Sequence, residues 1–123
     1  MTRAQTLEEV ARLSLAGASF DLALREFLDE FYAATLEERS RMIESEPAPL
    51  SSVEDAYLGA VAEHLARRCQ LPLPGWSHQS ARFLRTLFFA GGVEGLKPLL
   101  LKESPVAFRR RMIFVSANAL ARA

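Results

Sequence analysis

The chain has 123 residues, half of them hydrophobic and about a quarter charged, with eight Phe, one Trp and a single cysteine. That length suits one domain around one core, and the composition excludes a disordered chain or a disulfide-built scaffold. The formal net charge of zero conceals a split: residues 1–63 hold five basic and thirteen acidic side chains, residues 64–123 ten basic and two acidic.

Thr6-Leu7-Glu8-Glu9 reads as a capping box opening a short helix through about Leu15, broken by Gly17. Ser19 caps the clearest helix of the sequence. Phe20, Ala23, Leu24, Phe27, Leu28 and Phe31 form one apolar stripe, with Asp21, Arg25, Glu26, Asp29 and Glu30 off it. Thr35-Leu36-Glu37-Glu38 is a second capping box, for a helix carrying Leu36, Met42 and Ile43 that Pro47 and Pro49 stop. Ser51 or Ser52 caps a long helix to about Cys69, with Ala56, Tyr57, Ala60, Val61, His64 and Leu65 on one face. Its acidic first turn and basic last turn suit the helix dipole.

Leu71-Pro72-Leu73-Pro74-Gly75 cannot be helical and should run extended, with Trp76 folding inward as an anchor. Ser77 or Ser80 is expected to cap a fifth helix with Phe83, Leu84, Leu87 and Phe88 on the core side, ended by Gly91-Gly92. Leu99–Leu101 and Met112–Val115 read as two short strands. Between them Ser104-Pro105 is an N-cap followed by Pro, opening a helical turn through Phe108, and Ser116 caps a last helix to Ala123. The fold expected is all-α: one domain over 1–123, about five helices, and a small irregular C-terminal region that can hold a two-stranded ribbon.

Ala62-Glu63-His64-Leu65-Ala66-Arg67-Arg68, then Leu71-Pro72-Leu73-Pro74-Gly75-Trp76, then Glu103-Ser104-Pro105-Val106-Ala107-Phe108-Arg109-Arg110-Arg111 and Ile113-Phe114-Val115-Ser116 follow one another in order. Together with Phe27 to Tyr32 these words resemble a family of small uncharacterised bacterial proteins typified by "AEHLA…LP.PAW…ESP.AFRRRGIFV". Met112 stands where those words carry Gly. The resemblance implies a chain encoded beside nucleotidyltransferase-like genes, in the manner of toxin–antitoxin pairs, and hence a partner-binding role. It attaches no activity to any residue.

Arg109-Arg110-Arg111 is the sharpest polar feature. Three guanidinium groups suit phosphates or an acidic partner surface, although three adjacent residues cannot share one face and at least one should serve the fold. His64, Cys69 and His78 match no zinc spacing, and Cys69 has no base aligned with it. The pairs Glu8/Glu9, Glu37/Glu38 and Glu54/Asp55 fall in first helical turns, where capping and the dipole account for them. Gly91-Gly92-Val93-Glu94-Gly95 lacks the strand and the Lys of a phosphate loop.

The reading is therefore a protein-interaction module without catalytic, metal or cofactor site, an antitoxin or regulatory partner of a nucleotidyltransferase-like protein. Its contact residues are Arg109, Arg110, Arg111 and Trp76. A nucleic-acid-binding regulator using the basic C-terminal segment is the alternative. A small enzyme gathering Tyr57, Glu63 and His64 in a pocket is the second. The start MTRAQTLEEV has no apolar leader, and no stretch approaches about 18 apolar residues, so a soluble cytoplasmic protein is expected, with a homodimer as one option. Thirteen Arg against two Lys point to a GC-rich bacterial genome.

Overall fold

A computed structural model describes residues 3–86, 88–89 and 104–115. Four helices occupy the first two thirds: α1 (Leu7–Leu15), α2 (Phe20–Ala33), α3 (Leu36–Glu44) and α4 (Ser52–Cys69). Each begins where a hydroxyl can take an otherwise unpaired amide. Ser19, Thr35 and Ser51 accept from Leu22, Glu38 and Glu54, and the last two are complete capping boxes. At α1 the Thr6 hydroxyl accepts from the Glu9 amide, but the Glu9 carboxylate returns to the amide of Gln5 rather than to that of Thr6.

The α2 stripe is buried from its second member on: Ala23, Leu24, Phe27, Leu28 and Phe31 lie inside, against α1, while Phe20 is partly buried. No basic residue sits in the last turn of α2; Arg39 of α3 supplies the charge, donating to the carbonyls of Phe31 and Tyr32 at 2.9 Å each. In α3, Met42 and Ile43 are buried while Leu36 stands exposed.

The centre of the molecule is α4. Ala56, Leu58, Gly59, Ala60, Val61, Ala62, Glu63, Leu65 and Ala66 are all buried, so the helix is covered on nearly every side. Its small residues let chain approach closely from the C-terminal third. Gln70 ends it in the left-handed region (φ 57°), its amide on the Ala66 carbonyl.

After Pro74 the expected fifth helix does not form. Residues Gly75–His78 and Ser80–Arg82 make two 3-10 turns, Phe83 is extended, and Phe88–Phe89 form a strand, β1. The physical reason lies in where the hydrogen bonds go. The Ser77 hydroxyl, a candidate cap, donates to the Pro74 carbonyl at 2.7 Å. The amides of Leu84 and Phe88, which a helix would turn back on itself, instead reach the carbonyls of Arg111 and Met112 at 3.4 and 2.9 Å.

The C-terminal segment comprises a short helix α5 (Val106–Arg109) and a strand β2 (Ile113–Phe114) that pairs in parallel with β1, Phe88 opposite Ile113 and Phe89 opposite Phe114. A two-stranded element is thus present, with Phe88–Phe89 as the partner. The apolar run Leu99–Leu101, the stop at Gly91-Gly92 and the last helix from Ser116 lie outside the described residues. Ser104 does not cap α5. Its hydroxyl accepts from the amide of Val115 and donates to its carbonyl, both at 2.8 Å, closing residues 104–115 into a loop. Met112 adopts φ 63°, so the turn between α5 and β2 is left-handed with Met at the position that favours Gly. The chain is helix-dominated, and among the described residues no helix is long and apolar enough to cross a membrane.

Candidate functional site

Glu63 points from α4 toward the C-terminal segment and is fully buried. A lone interior carboxylate would cost several kcal/mol of lost hydration, and three arginines answer it. Arg111 Nη1 donates to Oε1 at 2.6 Å, while Arg110 Nη1 and Arg67 Nε converge on Oε2 at 2.7 and 2.8 Å. Burial alone would raise the Glu63 pKa; the hydrogen bonds from Arg111 and Arg67 and the nearby positive charges overcome it and hold the carboxyl below its ordinary range.

Arg111 is also fully buried. Its guanidinium donates further to the carbonyls of Ala107 and Ser77 at 2.9 and 2.7 Å and lies over the Phe83 ring, 4.3 Å from the centroid. Among the described residues its Nε has no partner, and burial lowers its pKa against the pull of Glu63. Gly59 makes the room: a Cβ there would stand 2.9 Å from Arg82 Cβ and 3.1 Å from Arg111 Nε.

Trp76 is interior as well, its indole N–H donating to the Ile43 carbonyl at 3.2 Å. Arg82 covers the ring at 4.9 Å, itself buried and donating to the Pro47 carbonyl at 2.9 Å, with the Asp55 carboxylate at 3.7 Å. Two of the four expected contact residues are thereby corrected. Arg111 and Trp76 are committed to the interior, because each finds its polar partners in backbone carbonyls or Glu63. Arg109 and Arg110 are exposed, and Arg109 makes no ion pair among the described residues.

Glu63 as the anchor and Arg67 as its second surface cation were not expected contact residues. The i, i+4 spacing of Glu63 and Arg67 was the one available signal. Arg67 and Arg110 keep 53% and 41% of their side-chain surface exposed while sharing one carboxylate oxygen. Each guanidinium has five N–H donors, and each is bound to Glu63 through a single nitrogen, so a face of each is turned outward. Three cations on one anion leave positive charge in excess at this surface.

His64 packs against Phe108, ring centroids 6.2 Å apart, and burial together with Arg68 lowers its pKa. His78 Nδ1 lies 3.1 Å from the Ser77 hydroxyl, and Cys69 Sγ is 3.7 Å from Arg39 Nη1. No group of three or more His, Cys, Asp or Glu that could hold a metal occurs among the described residues. Of the trio Tyr57, Glu63 and His64, Glu63 is engaged by arginines, and Tyr57 is turned to a cavity with Phe20. Comparison with protein-family models, with curated proteins and with solved structures finds no match to this chain.

Proposed function

We propose that the protein is an interaction module that docks an acidic surface of a partner protein through Arg67 and Arg110, with Arg109 beside them. The observation that carries this reading is the sharing of one oxygen of the buried Glu63 by two half-exposed guanidinium groups. Anchored this way, the two cations lose little side-chain freedom on binding, and their outward N–H groups suit a carboxylate taken in bidentate fashion. The words Ala62–Arg68 and Glu103–Val115 add the kind of partner: a nucleotidyltransferase-like protein encoded nearby, with this chain as its antitoxin or regulator.

Co-expression with the adjacent gene product, followed by affinity capture, tests the reading. A complex at micromolar concentration is expected, weakened about tenfold or more in the double variant Arg67→Ala/Arg110→Ala, a loss of about 1.4 kcal/mol or more. That variant should still fold, since Arg111 alone keeps Glu63 paired. Capture that is indifferent to both substitutions would overturn it. Capture of nucleic acid instead, with affinity falling steeply as salt rises, would favour the alternative reading. The burial of Arg111 already takes one of the three adjacent arginines away from any phosphate backbone.

A further inference from the structure

About 9 Å along α4 from Glu63, by the rise of an α-helix, Tyr57 forms the wall of a cavity of about 390 Å³. That volume lies in the range of small-ligand sites. Phe20, Tyr57 and Phe88 bring aromatic rings to it, and Asp21 and Glu54 bring carboxylates. The Phe20 and Tyr57 rings meet edge to face, 6.2 Å between centroids and 86° between planes, which makes a corner of two perpendicular ring surfaces. A second edge contact, Tyr57 to Phe108 at 5.1 Å, locks that corner against the core. Among the described residues the Tyr57 hydroxyl has no hydrogen-bond partner; burial, with the Asp21 charge, pushes its pKa up to about 12, so it stays a neutral phenol.

The charge decides the ligand. The first turns of α2 and α4 both border the cavity, and each helix start contributes about half a positive charge. Two carboxylates outweigh them by about one negative charge, and among the described residues no Lys or Arg lines the cavity. Aromatic faces are themselves negative and attract cations. An anion would meet both, and a neutral apolar molecule would gain nothing from the carboxylates.

We infer that the cavity bounded by Phe20, Tyr57 and Phe88, with Asp21 and Glu54 at its rim, binds an organic cation, an alkylammonium or guanidinium group. The cation lies against the ring faces while the carboxylates neutralise it. This inference is independent of the arginine surface.

The test is titration of the full chain with choline and with its neutral isostere 3,3-dimethylbutan-1-ol, followed by calorimetry and by the aromatic proton resonances of Phe20 and Tyr57. Choline is expected to shift those resonances and bind in the millimolar range or tighter, and the isostere about tenfold more weakly. Asp21→Asn/Glu54→Gln should weaken choline about tenfold while the Ser51 cap, which Gln can also serve, keeps α4 intact. A peptide bearing trimethyl-lysine, run alongside, separates a side-chain source from a free amine; tighter binding of either supports the site. No shift by about 10 mM choline, or equal binding of the isostere, overturns it. So does undiminished binding by the double variant with an unchanged circular dichroism spectrum.

Discussion

Removing the Glu63 charge while keeping its shape, as in Glu63→Gln, strands the fully buried Arg111 without a counter-ion. Such a loss costs about 3–5 kcal/mol, a large share of a domain's stability, and should appear as a lower urea midpoint at unchanged slope. Replacing both partners by Met should cost much less than the sum of the single changes, and a double-mutant cycle measures that coupling. The same pair shapes the acid limb of stability. Folding holds His64 neutral, so the unfolded chain takes up its proton first and stability declines as pH falls below 6.5. Glu63, whose folded pKa lies below the ordinary 4.5, contributes stability present above that value and lost as pH falls through the lowered one. Two successive declines in thermal midpoint are expected on acidification, the second reduced by Glu63→Gln but not abolished, since Glu38 is also held below its ordinary range by its bonds to Thr35. At Met112 the left-handed φ of 63° costs a non-glycine residue about 1–2 kcal/mol, partly offset by the greater freedom Gly has when unfolded. Met112→Gly should therefore stabilise by about 0.5 kcal/mol, seen as a small rise in the urea midpoint.

Among the elements, α4 carries the tightest constraint. Gly59→Ala gains up to about 1 kcal/mol of helix propensity, but its Cβ would press on Arg82 Cβ at 2.9 Å, an atom fixed to the backbone. Overpacking of this kind costs about 1–3 kcal/mol, so a net loss is expected in thermal unfolding. The first four helices were readable because their signals are local: a hydroxyl cap, an acidic first turn, one apolar stripe. Leu84 and Phe88 were not, because the groups that take their amides are the carbonyls of Arg111 and Met112, more than twenty residues away. Phe83, Leu84 and Phe88 at helical spacing look like a core-facing helix until that competition is known. Arg111 was misread for a related cause. The vacancy that admits it belongs to Gly59 on another element, and no pattern around Arg111 records it. Arg110, an expected contact residue, keeps 41% of its side-chain surface exposed, although it too is held by Glu63 of α4.

At the scale of the whole molecule, the charge split of the sequence is partly cancelled by folding. Arg111, Arg110 and Arg67 from the basic half meet Glu63, Arg82 meets Asp55, and within the acidic half Arg3 pairs with Asp29 and Glu30. At the outer side of Glu63 positive charge stays in excess. The proposed docking on an acidic partner should weaken in association rate as salt is raised, by the screening of exposed charges, while the buried Glu63–Arg111 pair is little affected. Stopped-flow association and urea unfolding, each at two ionic strengths, separate the two.

The embrace of residue 63 by residue 111 also sets an order of events in synthesis. A nascent chain halted after residue 105 carries the sequence of all four capped helices, yet Arg111 is missing from beside Gly59 and the carboxylate has only Arg67 at hand. Closure of the domain must wait for a cation made nearly fifty residues later. A ribosome-arrest series should accordingly register folding force in a single late step, when the arginine run emerges, and not at the completion of α4.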